Sequence, residues 1–419
     1  MVGKTQAQTS QRRTGNEPAT TTRAELQVRQ VASLDLPSTV EPLNTTVSVA
    51  TGLSSARIGE GKRDCDRQAA IGRIPVVSKN GTPLMPCLAS KARKLLEQGK
   101  ARKYWNKLGI FGIRLNLDPK EPATQPLVVG IDPGSKFEGF SVVGTKDTVL
   151  NIMAEAVDWV KKAVERRREM RRARRFRNTR RRECRFDNRL ARKTWLPPST
   201  KARWDVKLRI VQQLHKVLPL TDAVVEDVRA ETRKGQKKWN MNFSPIEAGK
   251  QYLYVGLKAL GLRLTTVQGI VTKGLRDKLG LKKVKSKSKP VFASHCVDSW
   301  VLASSVSGAE FPTTENLYYL VPLQWHRRQL HRFEPSKGGQ RSRYGGTMSL
   351  GLKRGTLVRH KKHGLCYVGG CMNGKLSLHD LSAGCRLTKT ARITDLTRLT
   401  RVAFRPQFLS ALKSGVPLR

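Results

Sequence analysis

Leu127-Val128-Val129-Gly130-Ile131-Asp132-Pro133-Gly134-Ser135 decides the reading of this chain. An apolar, β-branched run of strand length carries one carboxylate at its C-terminal end and then breaks at Pro-Gly. Such a strand buries its body and leaves its acid at the rim of a sheet, where open α/β sheets place their chemistry. Two further acids stand in comparable settings. Glu226 ends the run Ala223-Val224-Val225, and Asp298 lies in Phe292-Ala293-Ser294-His295-Cys296-Val297-Asp298-Ser299-Trp300-Val301-Leu302, whose pattern predicts a helix. His295 falls three residues before Asp298, so on a helix both point the same way.

Taken singly these residues have plainer readings: an Asp after a strand is often a turn cap, and a lone His on a helix is usually packed. As a set they are oxygen donors suited to Mg²⁺ or Mn²⁺, and two such ions can bridge a scissile phosphate. The expected site is Asp132, Glu226 and Asp298 as metal ligands, with His295 as general base or in contact with a metal-bound water.

Composition points to the substrate. The chain has 80 Lys and Arg against 32 Asp and Glu, a net charge of +48. That balance repels itself unless a polyanion neutralises it, and nucleic acid is the natural partner. At 419 residues and 38% hydrophobic content the chain can build more than one core. Its seven scattered cysteines form no dense framework, which argues for free thiols in a reducing compartment. No run is apolar and long enough to span a bilayer, and the N-terminus lacks a signal-peptide apolar core. The expected location is the cytoplasm, with no membrane partner.

Seven segments follow from the pattern. Residues 1–70 contain no aromatic residue and show no sustained period, so they read as a disordered extension. Glu17, Glu25, Asp35 and Glu41 count against an organelle presequence. Residues 71–122 form a small module. In it Ile74–Val77 is a strand, Lys79-Asn80-Gly81 a tight turn, Pro83–Pro86 a rigid extended exit, Lys91–Leu96 a basic helix and Ile110–Leu115 a second strand. In residues 123–160 the Asp132 strand is followed by strands at Phe137–Val143 and Val149–Ala154, which short turns make an antiparallel meander.

Residues 161–195 hold the Arg block, which has no Pro or Gly between Lys161 and Lys193. Arg166, Arg167, Arg171, Arg174, Arg175, Arg177, Arg180, Arg181, Arg182 and Arg185 can sit on one long helix whose guanidinium groups reach successive phosphates. A disordered basic tail is the competing reading, but the block lies between strands of the folded domain.

In residues 196–280, a helix over Ala202–Val217 leads to the Glu226 strand. A basic loop with Lys237, Lys238 and Trp239 suits phosphate contact and base stacking, or simply solvation. A helix starting at Ser244-Pro245 and a strand at Leu262–Val267 follow. A Lys-rich linker at Lys282–Lys289 introduces the Asp298 helix in residues 281–330. The whole is an α/β chain with an RNase H-like mixed sheet, and right-handed crossovers make the Asp132 and Glu226 strands parallel neighbours.

Residues 331–419 are Gly-rich and basic, with short strands at Gly355–Arg359, Leu365–Val368 and Lys375–His379 that suggest a small β-barrel. Cys366, Cys371 and Cys385 with His363 and His379 include no CxxC pair, which weighs against zinc.

These motifs, in this order, resemble the IscB family of transposon-encoded RNA-guided nucleases, and within it the IsrB branch that lacks an HNH domain. The likeness covers approximately residues 74 to 400. Lys79–Pro86 resembles the family's PLMP module, Gly130–Ser135 its first RuvC motif and the Arg block its bridge helix. Glu226 and His295–Asp298 resemble its second and third RuvC motifs. Tyr344–Thr347 and Leu376–Asp380 resemble the C-terminal region that contacts guide RNA and the target-adjacent motif, and Arg341, Arg343 and Tyr344 are its candidate contacts. Residues 227–294 contain no histidine, so an HNH site cannot be built there. The resemblance implies a protein monomer bound to a long guide RNA, acting on double-stranded DNA and nicking the displaced strand at one magnesium-dependent site. A guide-free, resolvase-like endonuclease and a non-catalytic RNA-binding scaffold remain as alternatives.

If the Arg block binds phosphates, Arg171→Ala with Arg174→Ala should weaken RNA binding. It should also flatten the plot of log affinity against log salt by about 0.7 to 0.9 per lost contact. An unchanged slope in a filter-binding titration would place the contacts elsewhere.

Overall fold

The computed structural model describes residues 72–119, 123–176, 196–227, 245–284, 289–323, 333–334, 339–340 and 348–410. Its N-terminal sheet contains β1 (Ile74–Val77), β2 (Pro83–Cys87), β3 (Ala101–Trp105) and β4 (Phe111–Leu115), in the order β2-β1-β4-β3. Helix α1 (Ala89–Glu97) contributes Ala89 and Ala92 to this sheet's small core. Pro83–Pro86, expected as an exit, is instead part of β2, antiparallel to β1. Proline is tolerated there because β2 is an edge strand. β3 was not foreseen: Arg102 and Lys103 are exposed on an edge, which hides the strand's alternation.

Among the described residues the large sheet has seven strands. Five of them are β5 (Leu127–Asp132), β6 (Phe137–Val143), β7 (Thr148–Glu155), β8 (Leu220–Asp227) and β9 (Arg263–Gln268), ordered β7-β6-β5-β8-β9. β5, β6 and β7 are the expected antiparallel meander, and β5 and β8 lie parallel. Third, second, first, fourth, fifth is the strand order of an RNase H-like sheet. Two further strands extend it. β10 (Leu317–Pro322) pairs parallel with β7, and the chain returns near its end to pair Phe404–Leu409 antiparallel to β10.

Between those two strands, β11 (Thr356–His360), β12 (Gly364–Met372), β13 (Lys375–His379), β14 (Arg386–Ala391) and β15 (Leu396–Arg401) form an antiparallel sheet ordered β14-β13-β12-β11-β15. Among the described residues its end strands β14 and β15 do not pair with each other. Residues 331–419 therefore do not all serve one module, because Phe404–Leu409 belongs to the large sheet.

Helices cover both faces of the large sheet, and strand parity sorts the side chains between them. Val129, Ile131, Ala223 and Val225 join α3 (Pro198–His215) and α4 (Pro245–Lys258) in one core. Val128 and Val224 join Trp300 and Val301 of α6 (Val297–Ser307) in the other. Asp132 shares the parity of Val128 and stands on the α6 side, while Glu226 lies at the rim. α2 (Trp159–Phe176) and α5 (Gly269–Lys278) are the other α-helices among the described residues.

α6 lies unusually close to the sheet. A Cβ on Gly130 would sit 1.8 Å from the Ser299 carbonyl oxygen, and one on Gly139 would sit 2.3 Å from that of His295. Ser141 and Ser299 share a 2.9 Å hydrogen bond across the same seam. Among the described residues no helix is long and apolar enough to cross a membrane.

Gly130→Ala should therefore cost about 3 kcal/mol, the upper end of overpacking penalties, because the obstruction is backbone. Gly274→Ala in α5 meets nothing within 4 Å and should be neutral or stabilising. Denaturant unfolding checks both, and equal midpoints would contradict the close approach.

Candidate active site

The rim formed by the C-terminal ends of β5 and β8 holds Asp132 and Glu226. Asp132 is 7% exposed and Asp298, in the first turn of α6, is 3% exposed. Burial pushes the Asp132 carboxyl well above the ordinary carboxylate range, and the Glu226 charge pushes it further. Lys283 opposes that shift, while Asp298 and a hydrogen bond to Glu226 add to it. The structure thus brings together the three acids singled out in the sequence.

The expected helix around Asp298 starts differently. Phe292–Cys296 forms a π-turn, and the α-helix begins at Val297. The wider turn breaks the simple three-residue spacing between His295 and Asp298. His295 is 7% exposed, and its ring lies 5.5 Å from that of Phe137. Its carbonyl oxygen stands over Gly139, the residue paired with Asp132 across β5 and β6. The imidazole is thus packed against Phe137, and it is the His295 backbone that lies over the strand pair carrying Asp132.

Two cations that the sequence reading missed complete the site. Arg276 of α5 donates through Nη1 to Asp298 Oδ1 at 2.6 Å. The Lys283 ammonium contacts Asp298 Oδ2 and lies 4.0 Å from Asp132 Oδ2. In a Lys-rich linker Lys283 looks like its neighbours, and only the tertiary fold distinguishes it. Both Asp298 oxygens are thus engaged by side-chain cations. Among the described residues no group of three or more His, Cys, Asp or Glu side chains is arranged to hold a metal ion.

The donor chemistry nonetheless fits a hard divalent cation at Asp132 and Glu226. These are two carboxylates close enough to hydrogen-bond, in a setting that penalises their charge. Asp298 can join them only when Lys283 moves aside.

The nucleic-acid candidates are partly described. Arg166, Arg167, Arg171 and Arg175 are exposed on α2, and the backbone of Arg174 belongs to the same helix. Arg177, Arg180, Arg181, Arg182, Arg185, Lys237, Lys238, Arg341, Arg343 and Tyr344 lie outside the described residues. Cys87, Cys296, Cys366, Cys371 and Cys385 are free thiols.

Strand order and acid placement define an RNase H-like domain with an acidic rim. Residues 74–242 match the family model of the RRXRR proteins, a span that includes Arg171-Arg172-Ala173-Arg174-Arg175. No curated protein matches the chain. Among solved structures it is similar to Thermus thermophilus RuvC in complex with a Holliday junction substrate. The identity is 16% and the TM-score 0.24, covering 42% of this chain and 90% of that one. It is also similar to the yeast mitochondrial Holliday junction resolvase Ydc2, with 14% identity and a TM-score of 0.22, covering 44% of this chain and 79% of that one.

Because the folded state raises the Asp132 pKa, its contribution to stability is present below the unfolded carboxylate value, about pH 4. It is lost as pH rises through the folded value. Asp132→Asn keeps the shape and removes the charge, so in EDTA near about pH 7 the variant should melt above the wild type, with the gap closing toward about pH 4. Mg²⁺ should raise the melting temperature of the wild type more than that of the variant. Identical melting curves under all these conditions would show that Asp132 bears no such cost.

Proposed function

We propose that this protein is a metal-dependent DNA endonuclease that nicks one strand under the direction of a guide RNA. The observation that carries the reading is the meeting of Asp132, Glu226 and Asp298 at one rim of an RNase H-like sheet in a chain of net charge +48. Asp132 and Glu226 would hold Mg²⁺ or Mn²⁺, with Asp298 completing the set, and two ions are the expected number. Bound there, the metal supplies charge stabilisation at the phosphate and an activated water. His295, in the turn that leads into α6, would serve as the proton acceptor. Lys283 and Arg276 neutralise Asp298 until the substrate and cation arrive.

The one-strand outcome is supported by the absence of histidine from residues 227–294, which leaves a single nuclease centre in the reading. The exposed arginines of α2 supply a sequence-independent grip on nucleic-acid backbone, which suits a protein that delegates sequence choice to base pairing. By the same reading the small N-terminal sheet and the β11–β15 sheet are accessory modules. The protein is a monomer in its RNA complex and works in the cytoplasm.

Asp132→Ala should abolish Mg²⁺-dependent nicking while leaving RNA binding within about twofold, since the acids do not supply the counterion-release term. The assay is nicking of supercoiled plasmid by protein purified with its RNA, followed by sequencing of that RNA. Persistent nicking by the variant would overturn the site. Full specificity after ribonuclease treatment would overturn the guide and favour a structure-selective, resolvase-like enzyme.

A further inference from the structure

Beside the acids lies a cavity of about 430 Å³ whose wall includes Glu226 and the Pro133–Ser135 turn after the Asp132 strand. We propose that it is a subsite for one nucleotide unit of the cut DNA strand, holding the phosphate that neighbours the scissile one. The inference rests on the nuclease reading for the identity of that strand, and on the cavity's own chemistry for its anionic, amphipathic occupant.

The volume lies within the range of about 300 to 1,000 Å³ typical of small-ligand sites. Its charge is asymmetric. Lys207 also lines it, but its ammonium is committed to Glu138 at 2.7 Å. Lys250 is likewise held by Asp227 at 2.6 Å and Glu247 at 2.8 Å. Lys161, in the first turn of α2, and Arg203, on α3, form no direct ion pair among the described residues, although the Arg203 charge also favours ionised Glu138 at longer range. They face the cavity together with the hydroxyl-bearing Ser199 and Thr200. Two cations and two hydroxyls are the donor set for a phosphate.

The remaining wall is apolar and rigid. Trp204 is 8% exposed, and its ring carries the Lys207 ammonium at 4.6 Å. A Cβ on Gly249 would fall 1.8 Å from the Trp204 indole nitrogen, so α4 closes over the indole through a glycine. A sugar and base can lie against this wall while the phosphate meets Lys161 and Arg203. Asp158 and Glu226 are the acidic residues on the lining. Glu226 is shared with the acid rim, so an occupant of the cavity lies next to the acids.

The test uses the full-length protein and thymidine 3′,5′-bisphosphate, titrated calorimetrically in EDTA so that no metal contributes. Arg203→Gln and Lys161→Gln should each weaken binding about tenfold, the usual loss for one charge-assisted contact, and together they should remove saturable binding. Arg102→Gln, exposed on β3 in the N-terminal sheet, should leave it unchanged. Affinity that is equal in all variants, or lowered as much by Arg102→Gln, would overturn the subsite. Circular dichroism melting of Arg203→Gln guards against loss of fold. In the nicking assay Arg203→Gln should raise KM about tenfold with kcat within about threefold. If the wild type never cuts DNA yet shows the bisphosphate pattern, the nuclease reading fails and the anion site stands. Nicking with Arg203-independent bisphosphate binding would leave the nuclease and sink the subsite.

Discussion

Like charges held close together under a packed helix are the constraint on which this structure turns. Asp132 and Glu226 sit at the ends of adjacent parallel strands, and α6 brings Asp298 over the same face. The repulsion among them is tolerable only with positive charge nearby, and the fold provides it through Lys283 and Arg276. Burial would otherwise favour protonation over ionisation, and the upward shift of the Asp132 carboxyl is the sign of that cost. Clusters of like charge held at such a cost are common at functional sites.

Backbone contact enforces the approach. Gly130 and Gly139 remove the two side chains that would hold α6 away from β5 and β6, and the Ser141–Ser299 hydrogen bond fixes the seam. The π-turn at Phe292–Cys296 lies at this contact, where an extra residue per turn re-aims the chain before α6 begins. On the opposite face α3 and α4 bury the alternate residues of the same strands. The sheet is thus anchored from both sides, with Asp132 and Asp298 toward α6 and Glu226 at the rim, where it also borders the cavity beside α3 and α4.

Cations in this protein have two distinct destinations. Some are internal counterions: Lys207 for Glu138, Lys250 for Asp227 and Glu247, and Lys283 and Arg276 for Asp298. Others, such as Arg166, Arg167, Arg171 and Arg175 on α2, face solvent. Net charge alone cannot separate the two groups, because a lysine in a salt bridge and a lysine awaiting phosphate look alike in composition.

The order of elements was legible in the sequence because it is written in local terms. The continuous β-branched runs at Val128-Val129 and Val224-Val225 give two buried strands, and the Pro-Gly break ends β5 at its acid. The meander and the parallel pairing of β5 with β8 follow from loop lengths and crossover handedness. Edge strand β3, with its exposed Arg102 and Lys103, and proline-bearing β2 gave no such signal. Nor could local pattern show that Phe404–Leu409 returns to the large sheet after the β11–β15 insertion, because pairing across that distance is decided by which edge is left open. The three acids could be named from their settings along the chain. That Lys283 and Arg276 stand against Asp298, and that Gly130 and Gly139 admit α6, only tertiary packing decided, since it depends on surfaces brought together from remote segments.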